Sequence, residues 1–221
     1  MTKDQIKNYF FSLKNYAIFT TLIFVFSIIF GYFLFNTVSN YLPKEESDKF
    51  IEEIEGQIKS LVEPFLVLEN FSRPLQVFLI WLKNIQSLGI ITIFSFIFGI
   101  SSFYGILING ILLGFLSFIF LIFLKKPFSD FLLLILPHGI IEIPVMILSA
   151  AIGIKIGKIS IDKIINYFQS LFGNHKSFEI NKKSVKMELN LGCEFFLQVL
   201  VPLLFLAAIL EIYVTGQLAL Y

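Results

Sequence analysis

The sequence predicts an all-α fold, a polytopic transmembrane helix bundle of about five spans. Three observations carry this. Hydrophobic residues make up 57% of the 221 residues and mean hydropathy is +0.83, which leaves too little polar sequence to cover a soluble surface. The apolar residues gather in runs of about twenty or more, the length a helix needs to cross a hydrocarbon core roughly 30 Å thick. Lysine and arginine flank those runs instead of forming one patch, so a net charge of +1 points to the lipid bilayer and not to nucleic acid. The single cysteine, Cys193, excludes an intrachain disulfide and a cysteine-based zinc cluster. Heavy use of Ile, Phe, Lys and Asn suggests a prokaryotic source. The whole chain, 1–221, reads as one integral membrane domain.

The first span is Tyr16 to Phe35. It follows Lys3, Lys7 and Lys14 as a signal peptide would, yet it is too long and no A-x-A-like site follows, so it reads as a retained anchor. Residues 36–73 then form an acidic extracytoplasmic segment. Within it Phe50, Ile54, Ile58, Leu61 and Phe65 recur at three- and four-residue intervals, the pattern of an amphipathic helix. That face packs on the bundle or the lipid interface, or docks a partner. Spans two and three are a hairpin of about 75–100 and 103–124, with its break expected at Gly99, Ser101, Ser102 and Gly105. Gly110 and Gly114 are small enough for close helix packing.

Span four runs from about Ser129 to Gly157, with Pro137, Gly139 and Pro144 expected to break or kink it. The basic stretch 158–187 follows as a cytoplasmic connection, and Ile161, Ile164, Ile165, Phe168, Leu171 and Phe172 suggest a short interfacial helix within it. Span five runs from about Leu189 to Leu220. Five crossings and the positive-inside rule put the N-terminus in the cytoplasm of a multi-pass cell-membrane protein and the C-terminus outside. Lys125 and Lys126 run against that assignment.

Four polar residues inside apolar runs are the candidate site. His138 and Glu142, in the stretch Leu136 to Pro144, would share one helix face one turn apart. Asn109 lies within span three and Glu211 within span five. At about 1.5 Å rise per residue, all four fit within one layer of the bundle. Ionisable side chains at such depth generally face a bundle interior. Asn109 is expected to hydrogen-bond between helices, and His138 either donates to a carbonyl freed by Pro137 or has a functional role. Buried carboxylates such as Glu142 and Glu211 must be protonated, paired or metal-bound. Cys193 is expected to be a small buried side chain.

Asn84 with Gly89, Ile108-Asn109-Gly110 with Gly114, the LPHGIIEIPVMILSAAIGIKIG stretch from Leu136 and LAAILEIYVT from Leu206 together resemble the stage II sporulation protein M family. The likeness covers most of the chain from about residue 75. It implies an integral membrane protein that recruits or scaffolds other proteins, and in spore formers these are peptidoglycan-remodelling proteins.

Three functions therefore stand open. The first is a non-enzymatic scaffold, homo-oligomeric with a dimer as the expected form, that recruits membrane or extracytoplasmic proteins. The second is a transport component for an ion, metal or small molecule that uses Asn109, His138, Glu142 and Glu211. The third is an intramembrane metalloenzyme in which His138, Glu142 and Glu211 hold a divalent metal, three ligands with an open position being the catalytic pattern. The sequence carries no H-E-x-x-H helix, G-x-S-x-G elbow or phosphate-binding loop. The expectation is no cofactor, with a divalent metal as the one possible exception.

Overall fold

A computed structural model describes residues 1–41, 49, 56, 68, 70–171 and 185–215. Among these the structure is helical, and five helices are long and apolar enough to cross a membrane: Lys14–Tyr41, Arg73–Phe94, Ile100–Ile122, Ile135–Gln169 and Val185–Val214. The amphipathic face of Phe50, Ile54, Ile58, Leu61 and Phe65 lies outside the described residues, as does 172–184 within the basic connection.

The chain opens with a helix the apolar pattern did not announce, α1 (Lys3–Ser12). A reciprocal cap starts it: the Gln5 amide donates to Thr2 Oγ1 at 3.3 Å and the Thr2 amide to Gln5 Oε1 at 2.8 Å, which satisfies two otherwise orphaned donors. Fully buried Leu13 separates α1 from α2 (Lys14–Tyr41). One face of α2 exposes Ile18, Leu22, Val25, Phe26, Ile29 and Phe33. So continuous an apolar face belongs against lipid, since a water-soluble monomer rarely carries one.

The hairpin is α3 (Arg73–Phe94) and α4 (Ile100–Phe118), the latter continued by a π turn, Ile119–Phe123. Its break falls at residues 95–99, one turn earlier than the sequence suggested, with Phe98 at φ 58° and Gly99 at φ 74°. Ser101, Ser102 and Gly105 are inside α4. Ser102 clasps the turn: its hydroxyl lies 2.6 Å from that of Ser95, and its amide donates to Ser95 Oγ at 3.0 Å. Glycine at 99 tolerates the left-handed backbone that other residues avoid. The turn rests on Gly153 and Gly157 of the next helix, where added Cβ atoms would collide with Ser102 and with the Gly99 backbone.

That next helix, α5 (Phe128–Leu171), is continuous through both Pro137 and Pro144. The expected break at the prolines is therefore corrected: each ring removes one backbone donor, but in an apolar setting no water competes for the remaining ladder and neighbouring helices support it. Nor do residues 161–171 form a separate interfacial helix; they are the last turns of α5. At 1.5 Å per residue its 44 residues extend about 66 Å, more than twice the hydrocarbon thickness.

The last span comprises α6 (Val185–Phe195), a π turn (Phe196–Leu200), α7 (Val201–Leu210) and a second π turn (Glu211–Thr215). Pro202, at the start of α7, lacks the donor that would continue a regular ladder across the first π turn. Trp81 ties α3 to this span by donating from Nε1 to the Val201 carbonyl at 3.0 Å. The densest packing joins α2 to α4. Added Cβ atoms at Gly31, Gly110 and Gly114 would meet Ile111, Ser27 and the Ile28 and Tyr32 backbone respectively. Small residues let these two backbones approach, the main source of helix attraction where lipid is as apolar as leucine. The largest core, built from Tyr9, Leu13, Ile152, Ile156, Phe195 and Leu200 among others, closes the end of the bundle that carries the N-terminus.

Candidate functional site

Within the bundle α3, α4, α5 and the Glu211 turn, with Phe24 of α2, Leu68 and Phe71, line an open cavity of about 700 Å³. Its position follows from helix periodicity. Ile80, Lys83 and Asn84 share one face of α3; Asn109, Leu112, Leu113 and Leu116 share one face of α4; His138, Glu142 and Met146 share one face of α5. Each helix thus brings one or two polar groups in an otherwise apolar face. The structure places all four sequence candidates, Asn109, His138, Glu142 and Glu211, around this cavity.

Two further polar groups join them. Lys83 and Asn84 line the same cavity, and Glu211 has both Glu142 and Lys83 as electrostatic neighbours. Lys83 is ten residues into the 22-residue α3, about 15 Å from its start and so near mid-membrane. A lysine halfway along an apolar run was a legible signal of a polar interior, and the sequence candidates left it out.

Asn109 donates from Nδ2 to the Gly105 carbonyl of its own helix at 2.8 Å. The interhelical bond expected of it is not what the structure shows; its side-chain carbonyl oxygen keeps its capacity as an acceptor. An added Cβ at Gly139 would meet Ile135 and Ile143 of its own helix, and this glycine lines the cavity. Among the described residues no group of three His, Cys, Asp or Glu side chains could hold a metal ion.

A second polar cluster lies where sequence reasoning saw only span ends. Lys155 of α5 and Glu188 of α6 form an ion pair at 2.6 Å, with side chains 8% and 1% exposed. Lys155 also donates to Ser12 Oγ at 2.8 Å and lies 4.5 Å from the centre of the Tyr9 ring. The terminal ammonium of Met1 meets Glu194 at 3.3 Å. Together these dock α1 onto α5 and α6. The Tyr9 hydroxyl is held well above its ordinary pKa, first by burial and then by the charge of Glu188. Cys193, expected to be buried, is exposed.

Comparison with known proteins gives this architecture relatives. The family described as Stage II sporulation protein M matches residues 20–216, well over half of the chain. Two proteins of Methanocaldococcus jannaschii, both described as uncharacterized, are similar to it. One is 26% identical over 213 residues, covering 95% of this chain and 98% of the relative. The other is 28% identical over 166 residues, covering 74% of this chain and 67% of the relative. No solved structure matches.

Proposed function

This chain belongs to the stage II sporulation protein M family, and on that premise we propose that it is a non-enzymatic membrane component that takes a small polar or charged solute into its bundle. The observation supporting this is the convergence of Lys83, Asn84, Asn109, His138, Glu142 and Glu211 on one cavity of about 700 Å³. Ionisable groups inside a membrane are costly, and where they gather they mark substrate or ion paths; the volume suits a small organic molecule. The protein sits in a prokaryotic cell membrane with the N-terminus cytoplasmic. Lys3, Lys7, Lys14, Lys155, Lys158, Lys163, Lys176, Lys182, Lys183 and Lys186 supply that side, against Lys44, Lys49, Lys59, Arg73, Lys125 and Lys126 on the other.

The test is solvent access. With Cys193→Ser as background, Asn84→Cys and Asn109→Cys should react with a membrane-impermeant thiol reagent, while a cysteine at lipid-facing Phe26 should not. Equal inertness at all three positions would sink the reading.

A second reading, an assembly scaffold, is favoured by the projecting end of α5. Ile161, Ile164, Phe168 and Leu171 are exposed there, at the three- and four-residue spacing of a coiled-coil seam, which fits a second copy of the chain. Cysteine crosslinking at Ile164 in membranes should trap a homodimer on this reading; monomer alone would remove its support.

A further inference from the structure

We infer that the cavity selects an organic cation, a protonated amine on an apolar body. The inference rests on the solute-binding reading above and names its substrate class. Charge count comes first. Among the described lining residues there are two carboxylates, Glu142 and Glu211, and one ammonium, Lys83. Glu211 feels both of the others, and among the described lining residues carboxylates outnumber ammonium groups by two to one. A carboxylate in an apolar setting calls for a positive partner.

The neutral polar groups fit the same class. Asn109 has already used an amide hydrogen on Gly105 and offers its carbonyl oxygen, an acceptor for ammonium hydrogens. The walls then separate an organic from an inorganic cation: twelve of the eighteen described lining residues are apolar or glycine. A small hydrated ion would gain nothing from Leu112, Ile143 and Met146, whereas an alkyl or aryl body would be removed from water against them.

The experiment is equilibrium dialysis of the protein in lipid nanodiscs with three labelled probes of one shape: phenethylamine, 3-phenylpropionate and 2-phenylethanol. Saturable binding of the amine over the other two is the expected result. Glu142→Gln should weaken it at least about tenfold, as loss of a charge-assisted hydrogen bond implies. Lys83→Met should tighten it by removing the competing cation, and it carries the test if Glu142→Gln fails to fold. Preference for the anion, lost in Lys83→Met, would overturn the cation class while leaving a solute cavity in place. No binding of any probe, with Asn109→Cys still open to the thiol reagent, would overturn the organic-amine inference alone. Closure of Asn109→Cys to the reagent would overturn the cavity reading itself.

Discussion

Removing either member of the buried Lys155 and Glu188 pair should destabilise the protein strongly, and by unequal amounts. Deleting one partner of a buried pair costs about 3–5 kcal/mol, because the other charge stays buried without compensation. The surroundings decide where in that range each variant falls. In Glu188→Gln the Lys155 ammonium keeps its hydrogen bond to Ser12 Oγ at 2.8 Å and its place over the Tyr9 ring at 4.5 Å. Both contacts remain in this variant, so the loss should sit at the low end of the range, about 3 kcal/mol. In Lys155→Met the Glu188 carboxylate, 1% exposed, loses the one cation placed against it, and the loss should approach about 5 kcal/mol. The double variant leaves only a neutral amide buried and should lose about 1–3 kcal/mol. The assay is unfolding in mild detergent by titration with sodium dodecyl sulfate. It is followed by fluorescence of Trp81, the single tryptophan, which holds α3 to the last span. Additive losses in the double variant, or single losses under about 1 kcal/mol, would refute the reasoning by showing a pair that water reaches.

Three further outcomes follow from particular contacts. Gly114→Ala should break the α2–α4 contact, since its Cβ would collide with the Ile28 and Tyr32 backbone, whereas at Gly89 the nearest atoms are the Phe196 ring at 3.9 Å. Gly89→Ala should therefore stabilise by about 0.5–1 kcal/mol through helix propensity; equal behaviour of the two variants in a detergent melt would count against the packing argument. Gly99→Ala, at φ 74°, should destabilise by about 1–2 kcal/mol because a Cβ opposes the left-handed backbone, and an unchanged melt would remove that account of the turn. Tyr9 is held neutral by burial and by Glu188. Its folded pKa lies above the unfolded value, so its contribution is complete below about pH 10 and falls by about 1.4 kcal/mol per pH unit above that, as the unfolded state ionises first. Tyr9→Phe should flatten the alkaline limb of the stability curve relative to wild type; identical limbs would place the hydroxyl in water.

How much of this was legible depended on whether a signal was local. The spans were, since apolar run length sets them, and so was the convergence of His138 and Glu142 on one face, since helical spacing sets it. The continuity of α5 was not. Proline weakens a helix in any local reading, and what keeps this one whole is its packing against α2, α3 and the α3–α4 turn, which spacing alone does not contain. Helix α1 was missed although Thr2 and Gln5 form a capping box at the required interval, because the lysines around them drew the reading toward a flanking charge. The Lys155 and Glu188 pair was out of reach for another reason. The two residues are 33 apart in sequence, each at the end of an apolar run, and only the fold brings them together.

The two polar clusters differ in a way that bears on function. Lys155 and Glu188 are matched one to one and withdrawn from solvent, and the pair holds α1 against α5 and α6. Around the cavity the balance is different. Among the described lining residues two carboxylates face one ammonium, Lys83 and Asn109 are exposed, and Asn84, His138, Glu142 and Glu211 are half-buried. A group that serves only the fold gains most by complete pairing, since an uncompensated charge in an apolar setting is the costliest feature a bundle can carry. That excess of carboxylate over ammonium among the described lining residues, beside space for a small molecule, is why the cavity and not the ion pair is the place to look for a ligand.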